Sequence, residues 1–273
     1  PDTPAGFLEK ALPMKGTLYQ KEFFQRNNVT YGVAMFERGY FEEAAASFKL
    51  AITDKPDDPI AHYNLGTLYL QRKDLPSARQ HLAEAVKLNP AYVEAWNNLG
   101  MVAAEQGQED EAIKDFRQSL LLKPAYVTAL LNLGNLFRRT GAIGEAKELL
   151  ERAEQAAPED PEANYSLGML YAKEDQLQRA SDYLEKATAL RPDHVEALNN
   201  LGVVLVRQER YAQAQEKFET CIRIAPGFDQ AYLNLARLYV VLDEKEKARE
   251  VLLALLRLQP DHKLAQQALQ MLN

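Results

Sequence analysis

Four histidines, one cysteine and a scatter of carboxylates are the side chains of this 273-residue chain that could hold a metal or move a proton. Such chemistry needs these groups at short, specific spacings. His62, His81, His194 and His262 have no second His, Cys or carboxylate at a spacing that suits a metal. Cys221 stands among small residues and reads as a buried packing group rather than a nucleophile. The adjacent carboxylates Asp57-Asp58 and Glu109-Asp110 fall at turns and first helical turns, where caps and dipoles favour them. The glycines follow a fixed period and build no phosphate-binding loop. No catalytic residue, no metal ligand and no cofactor is therefore expected, and the chain does not read as an enzyme.

Amides offer a different chemistry. Asn64, Asn98, Asn132, Asn200 and Asn234 recur in register, separated by 34 residues or a multiple of it. A primary amide carries donors and an acceptor together, so a row of them can pair with a peptide backbone whatever its side chains.

The elements that must position this row repeat with the same period. Pro56, Pro90, Pro124, Pro158, Pro192, Pro226 and Pro260 are each 34 residues apart, with no insertion between them. Counting repeats from 25, 59, 93, 127, 161, 195 and 229, the eighth position reads Gly32, Gly66, Gly100, Gly134, Gly168, Gly202 and Ala236. The twentieth is always Ala, from Ala44 to Ala248. The twenty-fourth is Phe or Leu: Phe48, Leu82, Phe116, Leu150, Leu184, Phe218 and Leu252. Tiny residues at positions 8 and 20 let two antiparallel helices touch, and large apolar residues at 7, 11 and 24 fill the space around that contact. Proline at 32 closes each unit. Asp58-Pro59 and Asp160-Pro161 start helices, and Gly39, Gly107 and Gly141 at position 15 stop them. Helix A is expected over positions 1–14 and helix B over 15–30. His62 then takes a large-residue position and Cys221 a small one, so both are expected to be packed.

Composition narrows the partners. Hydrophobic content of 47% and charged content of 26% suit a folded globular chain. A formal charge of −7 argues against nucleic acid and anionic membrane as partners. No segment is long and apolar enough for membrane insertion. One cysteine permits no internal disulfide and suits a reducing, cytoplasmic compartment as well as a periplasmic one. The start, Pro1-Asp2-Thr3-Pro4-Ala5-Gly6, lacks Met and signal-peptide features, so the chain reads as part of a longer or processed protein.

Trp96-Asn97-Asn98-Leu99-Gly100 with Ala112, Phe116 and Pro124 shows the full signature in one repeat. The pattern resembles the tetratricopeptide repeat (TPR) family from Gln25 to about His262. The resemblance implies an all-α fold, a right-handed superhelical solenoid of antiparallel helix pairs. The expected domains are an N-terminal extension or cap over 1–24, seven repeats over 25–262, and a C-terminal capping helix over 263–273. In that last helix Leu264, Ala265, Ala268, Leu269 and Leu272 form an apolar stripe under a polar outer face, so the array is expected to end there.

In the family, helix A residues at positions 2, 5, 6, 9, 12 and 13 line a concave peptide-binding face. Carried over, position 6 supplies the Asn row, position 5 adds Asn97, Asn199 and Tyr165, and position 9 adds Asn135. The row is similar to those in the TPR region of O-linked N-acetylglucosamine transferases. Repeats 4–7 also place Arg138, Arg139, Lys173, Arg207 and Arg237 there against only Glu162 and Glu196, which suggests a partner with an acidic segment. The carboxylate clamp of chaperone-binding members is not matched: Leu131 replaces its Lys, and Ser166, Glu196 and Asn200 break the rest. The reading is a non-catalytic scaffold that binds a protein or peptide partner. Its alternatives are an assembly element capable of self-association and the regulatory arm of a larger protein.

Overall fold

The computed structural model describes residues 18–272, and side chains from residue 28 onward. The described residues form fifteen helices and no strand. In chain order these are α1 Leu18–Glu37, α2 Phe41–Asp54, α3 Pro59–Gln71, α4 Leu75–Leu88, α5 Val93–Glu105, α6 Glu109–Leu122, α7 Val127–Thr140 and α8 Ile143–Ala156. They continue as α9 Pro161–Lys173, α10 Leu177–Leu190, α11 Val195–Arg207, α12 Tyr211–Ile224, α13 Asp229–Val241, α14 Lys245–Leu258 and α15 Lys263–Met271. The chain divides into two compact units, one ending at Asn132 and the other beginning at Leu133, with the division inside α7.

Within each unit the repeated element is a helical hairpin, and its glycine explains why it closes. A Cβ added to Gly100 would lie 2.6 Å from the Phe116 ring, and one on Gly202 would lie 2.5 Å from the Phe218 ring. At Gly66, Gly134 and Gly168 the nearest atoms belong to Leu82, Leu150 and Leu184, at 2.7, 2.8 and 2.7 Å. No real Cβ tolerates such distances, so the helices pack only because the side chain is missing. The position-20 alanines from Ala44 to Ala248 are all fully buried. Phe48, Phe116 and Phe218 are each about 1% exposed and fill the slot that the glycine opens.

The turn inside each hairpin puts position 15 in the left-handed region. Gly39, Gly107 and Gly141 have φ of 80°, 73° and 92°. Lys73, Asp175, Glu209 and Asp243 occupy the same position at 59–62°. The geometry is thus imposed on non-glycine residues too, and helix B begins at position 17 rather than 15, as at Leu75 and Tyr211.

The turn between hairpins carries a latch that the periodicity alone did not reveal. The side chain at position 4 reaches the proline carbonyl six residues before it. Trp96 Nε1 donates to Pro90 at 2.9 Å, Asn164 Nδ2 to Pro158 at 3.0 Å, Tyr232 Oη to Pro226 at 3.2 Å and Gln266 Nε2 to Pro260 at 2.8 Å. His62 Nε2 lies 3.1 Å from the Pro56 carbonyl in the same way. Four unrelated donor types and an amide homologue serve one carbonyl, so what position 4 supplies is reach and a proton. Asp58 and Asp160 cap α3 and α9 through the backbone N–H groups of Ile60 and Ala163, as expected.

The ends differ from expectation in two ways. Helix α1 runs through residue 25 from Leu18, because Glu22 stands where other repeats have a helix-breaking proline. Most of the cap expected over 1–24 lies outside the described residues. In α15, Ala265 is fully buried, but Leu264 is 60% exposed. Leu264 sits at position 2, where Ile60 is also 50% exposed, so that position faces outward in this packing.

The glycine contact makes a pairwise prediction. Gly100→Ala will destabilise the protein by about 1–3 kcal/mol, because overpacking against Phe116 outweighs the helix propensity gained. Gly100→Ala with Phe116→Leu will recover most of that loss, since the chain already pairs Ala236 with Leu252 at these positions. Urea unfolding of the two variants measures both.

Candidate functional site

Perturbed titratable groups are the usual mark of catalysis. Burial raises the Tyr92 hydroxyl furthest, at the N-cap of α5, and two other strongly shifted groups lie on B helices. Burial pushes the Cys221 thiol up to about 11, with Glu196 adding to it. Its Sγ points at the Val195 carbonyl, 3.6 Å away. Ser119 makes the same link to Val93 at 3.0 Å, so Cys221 does in its repeat what a serine does in another. Burial raises the Asp115 carboxyl to about 6. The fold brings together one histidine pair that spacing had missed. His62 Nδ1 and His81 Nδ1 are 3.1 Å apart, and the ring centroids are 5.3 Å apart. The two nitrogens therefore lie nearly in line between the rings, as in a shared hydrogen bond. Among the described residues no three His, Cys, Asp or Glu side chains gather as a metal set.

The amide row lies on the A helices, and much of it is spent on joining repeats. In the first unit Asn132 Nδ2 donates to Asn97 Oδ1 at 2.9 Å. Asn97 Nδ2 donates to Asn98 Oδ1 at 3.2 Å, and Asn98 Nδ2 to Thr67 Oγ1 at 3.0 Å. Asn97 and Asn98 are 1% and 9% exposed. Asn64 instead donates back to the Ile60 carbonyl of its own helix. In the second unit Asn234 Nδ2 donates to Asn199 Oδ1 at 2.9 Å and Asn200 Nδ2 to Tyr165 Oη at 3.1 Å. Asn135 Nδ2 donates to Ser166 Oγ at 2.9 Å. Position 6 of one repeat thus bonds position 5 of the repeat before it, in both units.

These bonds sort the expected site residues. Asn97, Asn98 and Asn199 are buried connectors. Asn64, Asn132, Asn200 and Asn234 are half-buried, and their Oδ1 atoms accept no bond among the described residues. Each keeps an acceptor and a second amide proton.

The cations divide as well. Lys173 Nζ donates to the Arg138 carbonyl, and Arg207 donates to the Ala172 carbonyl at 3.1 Å while pairing with Asp175 at 2.6 Å. Both cover the negative end of the preceding A helix. In the first unit the same two positions carry the charges reversed, as Glu105 paired with Lys73 at 2.6 Å. Arg139 and Arg237 are exposed. Arg138 is half-buried, its Nε donating to Asn135 Oδ1 at 3.2 Å.

Stability separates the two amide classes. Asn97→Ala will cost about 1–3 kcal/mol, because it leaves the Asn132 and Asn98 amides short of partners in a buried place. Asn64→Ala will change stability by less than about 0.5 kcal/mol. Thermal and urea unfolding of both variants checks the contrast.

The comparisons with known proteins agree with the repeat. Residues 28–200 match the family model of the cilia and flagella-associated protein 70 C-terminal domain, and residues 205–272 match a tetratricopeptide repeat model. Protein NPGR1 of Arabidopsis thaliana is 32% identical over 78 residues, which are 28% of this chain and 11% of that protein. Among solved structures, the anaphase-promoting complex hetero-tetramer Cut9-Hcn1 superposes with a TM-score of 0.76 at 18% identity, over 88% of this chain and 48% of the matched chain. YrrB, described as a TPR protein with an unusual peptide-binding site, superposes with a TM-score of 0.55 at 27% identity, over 70% of this chain and 98% of its own. The chain thus spans about a tenth of NPGR1 and about half of the Cut9-Hcn1 chain. With matched models over 28–200 and 205–272, the chain belongs to the tetratricopeptide repeat family, as an all-α solenoid of the kind found in the cilia and flagella-associated protein 70 C-terminal domain.

Proposed function

We propose that this chain holds an extended segment of a partner protein against the A-helix faces of its units. Tetratricopeptide arrays are protein–protein interaction scaffolds, typically without catalysis of their own. One observation supports the peptide reading here. Among the described residues the Oδ1 atoms of Asn64, Asn132, Asn200 and Asn234 have no donor, and these side chains are half-buried. The bond each amide makes to the protein fixes its orientation, so the free edge is presented without further ordering. Such an edge suits the alternating N–H and C=O groups of an extended backbone. Tyr63 and Met101 in one unit, and Tyr165, Met169 and Val203 in the other, are half-buried beside the amides and offer apolar contact for side chains.

YrrB, 27% identical, supports the reading by analogy. A backbone-reading face tolerates many ligand sequences, so selection from a displayed peptide library is the appropriate test. Clones retained by the wild type will bind at least about tenfold more weakly to Asn64→Ala,Asn200→Ala, because each lost ligand hydrogen bond is worth about 1 kcal/mol. These two positions are chosen because neither holds a buried neighbour in place. Selection that yields no clones, or clones indifferent to both changes, would count against the peptide-binding function.

A further inference from the structure

Arg138 is out of place. Position 12 holds Phe36, Leu70, Ala104, Ala172, Val206 and Val240 in the other repeats, and only repeat 4 puts a charge there. The side chain is half-buried on α7. Among the described residues its side chain makes one hydrogen bond, from Nε to Asn135 Oδ1, and neither terminal nitrogen of the guanidinium has a partner. No carboxylate pairs with it among the described residues. The carboxylates whose charge reaches Tyr165 are engaged elsewhere: Glu162 pairs with Arg191 at 2.7 Å, and Glu196 lies 3.3 Å from His194. Burial pushes this guanidinium below its ordinary value, with Tyr165 opposing the shift and Arg139 adding to it. A cation taken partly out of water without a counter-charge is a net cost to folding, and such a group persists where it meets an anion from outside.

The surroundings are set up to receive one. Asn135 fixes Nε and leaves the fork of the guanidinium open. Tyr165 Oη accepts from Asn200 Nδ2 and so keeps its own proton to donate. Exposed Arg139 adds a second positive charge at the adjacent position.

We infer that Arg138, with the Tyr165 hydroxyl, forms a carboxylate-binding subsite that seats an Asp or Glu side chain of the partner segment. The inference rests on the peptide-binding reading above and names the chemistry that this face selects. The carboxylate would supply the counter-charge that the protein withholds. Lys173 and Arg207 cap helix ends and add general positive potential, while Arg138 provides the fork that selects.

Arg138→Leu is the informative variant, because other repeats carry Leu, Val or Phe at this position and the change removes a desolvated charge. The probes are a fluorescein-labelled alternating Ala–Glu peptide and its Ala–Gln counterpart, followed by fluorescence anisotropy. The wild type is expected to prefer the Glu peptide by about tenfold or more, the worth of a charge-assisted bond. Arg138→Leu should lose that preference while melting at the same temperature or higher. Tyr165→Phe should reduce the preference in part. A preference that survives Arg138→Leu would assign it to the exposed cations and overturn the subsite, as would a drop in melting temperature, which would make Arg138 a structural residue. Equal binding of both peptides to the wild type, weakened by Asn200→Ala, would remove the subsite and leave the peptide-binding face standing. Failure of the wild type to bind the Glu peptide would overturn the subsite directly.

Discussion

Everything in this molecule depends on how closely two helices approach at one missing side chain. At Gly32, Gly66, Gly100, Gly134, Gly168 and Gly202 a Cβ would sit 2.5–2.8 Å from the residue sixteen positions later. That contact sets the separation of helices A and B and buries the position-20 alanine completely. It also leaves room for one large side chain, Phe or Leu, at position 24. Close approach between helices is normally limited by side-chain bulk, so glycine here removes the limit at a single point and apolar packing supplies the attraction around it. One face of helix A is taken up by this contact with helix B, and the polar rows stand on the rest of its surface.

The polar groups then do two things at once. Buried amides at position 5 join neighbouring repeats, and half-buried amides at position 6 donate into them and keep an edge free. The proline carbonyl of the turn is an acceptor that needs a donor, and position 4 supplies one in five places with five different side chains. Leu130 and Leu198 stand at position 4 in two repeats and cannot form this bond, so the latch refines the junction without creating it.

Much of this was legible in the sequence because a period of 34 residues repeats each constraint. The glycine at position 8 and the proline at position 32 named the hairpin, and Asp58 and Asp160 named their caps. The left-handed residue at position 15 was legible only where it is Gly; Lys73 and Glu209 adopt it under tertiary constraint against their own preference. The roles of the asparagines divided unexpectedly. Asn98 and Asn132 share position 6, yet only Asn132 keeps a free acceptor, because Asn98 receives the amide of Asn97 beside it. No single-position rule carries that, and the neighbour at position 5 does not either: Asn199 precedes Asn200 as Asn97 precedes Asn98, yet Asn97 donates to Asn98 while no such bond joins Asn199 to Asn200 among the described residues. The long-range pair His62 and His81 was illegible for a similar reason: nineteen residues separate them, and only the hairpin brings them together. The cations of repeats 4–7 looked alike in sequence, but Lys173 and Arg207 proved to cap helix ends while Arg138 lies half-buried with no carboxylate paired to it among the described residues.

The central claim is that the A-helix face, and not the outer B-helix face, meets the partner. Site-directed photo-crosslinking tests it most directly, with benzoylphenylalanine placed singly at Met101 or Val203 on A helices and at Leu121 or Leu253 on B helices. The wild-type background is kept otherwise, and crosslinked peptides from a selected ligand are mapped by mass spectrometry. Adducts are expected from Met101 or Val203 and none from Leu121 or Leu253. Adducts confined to Leu121 and Leu253 would contradict it and move the interaction to the opposite side of the hairpins.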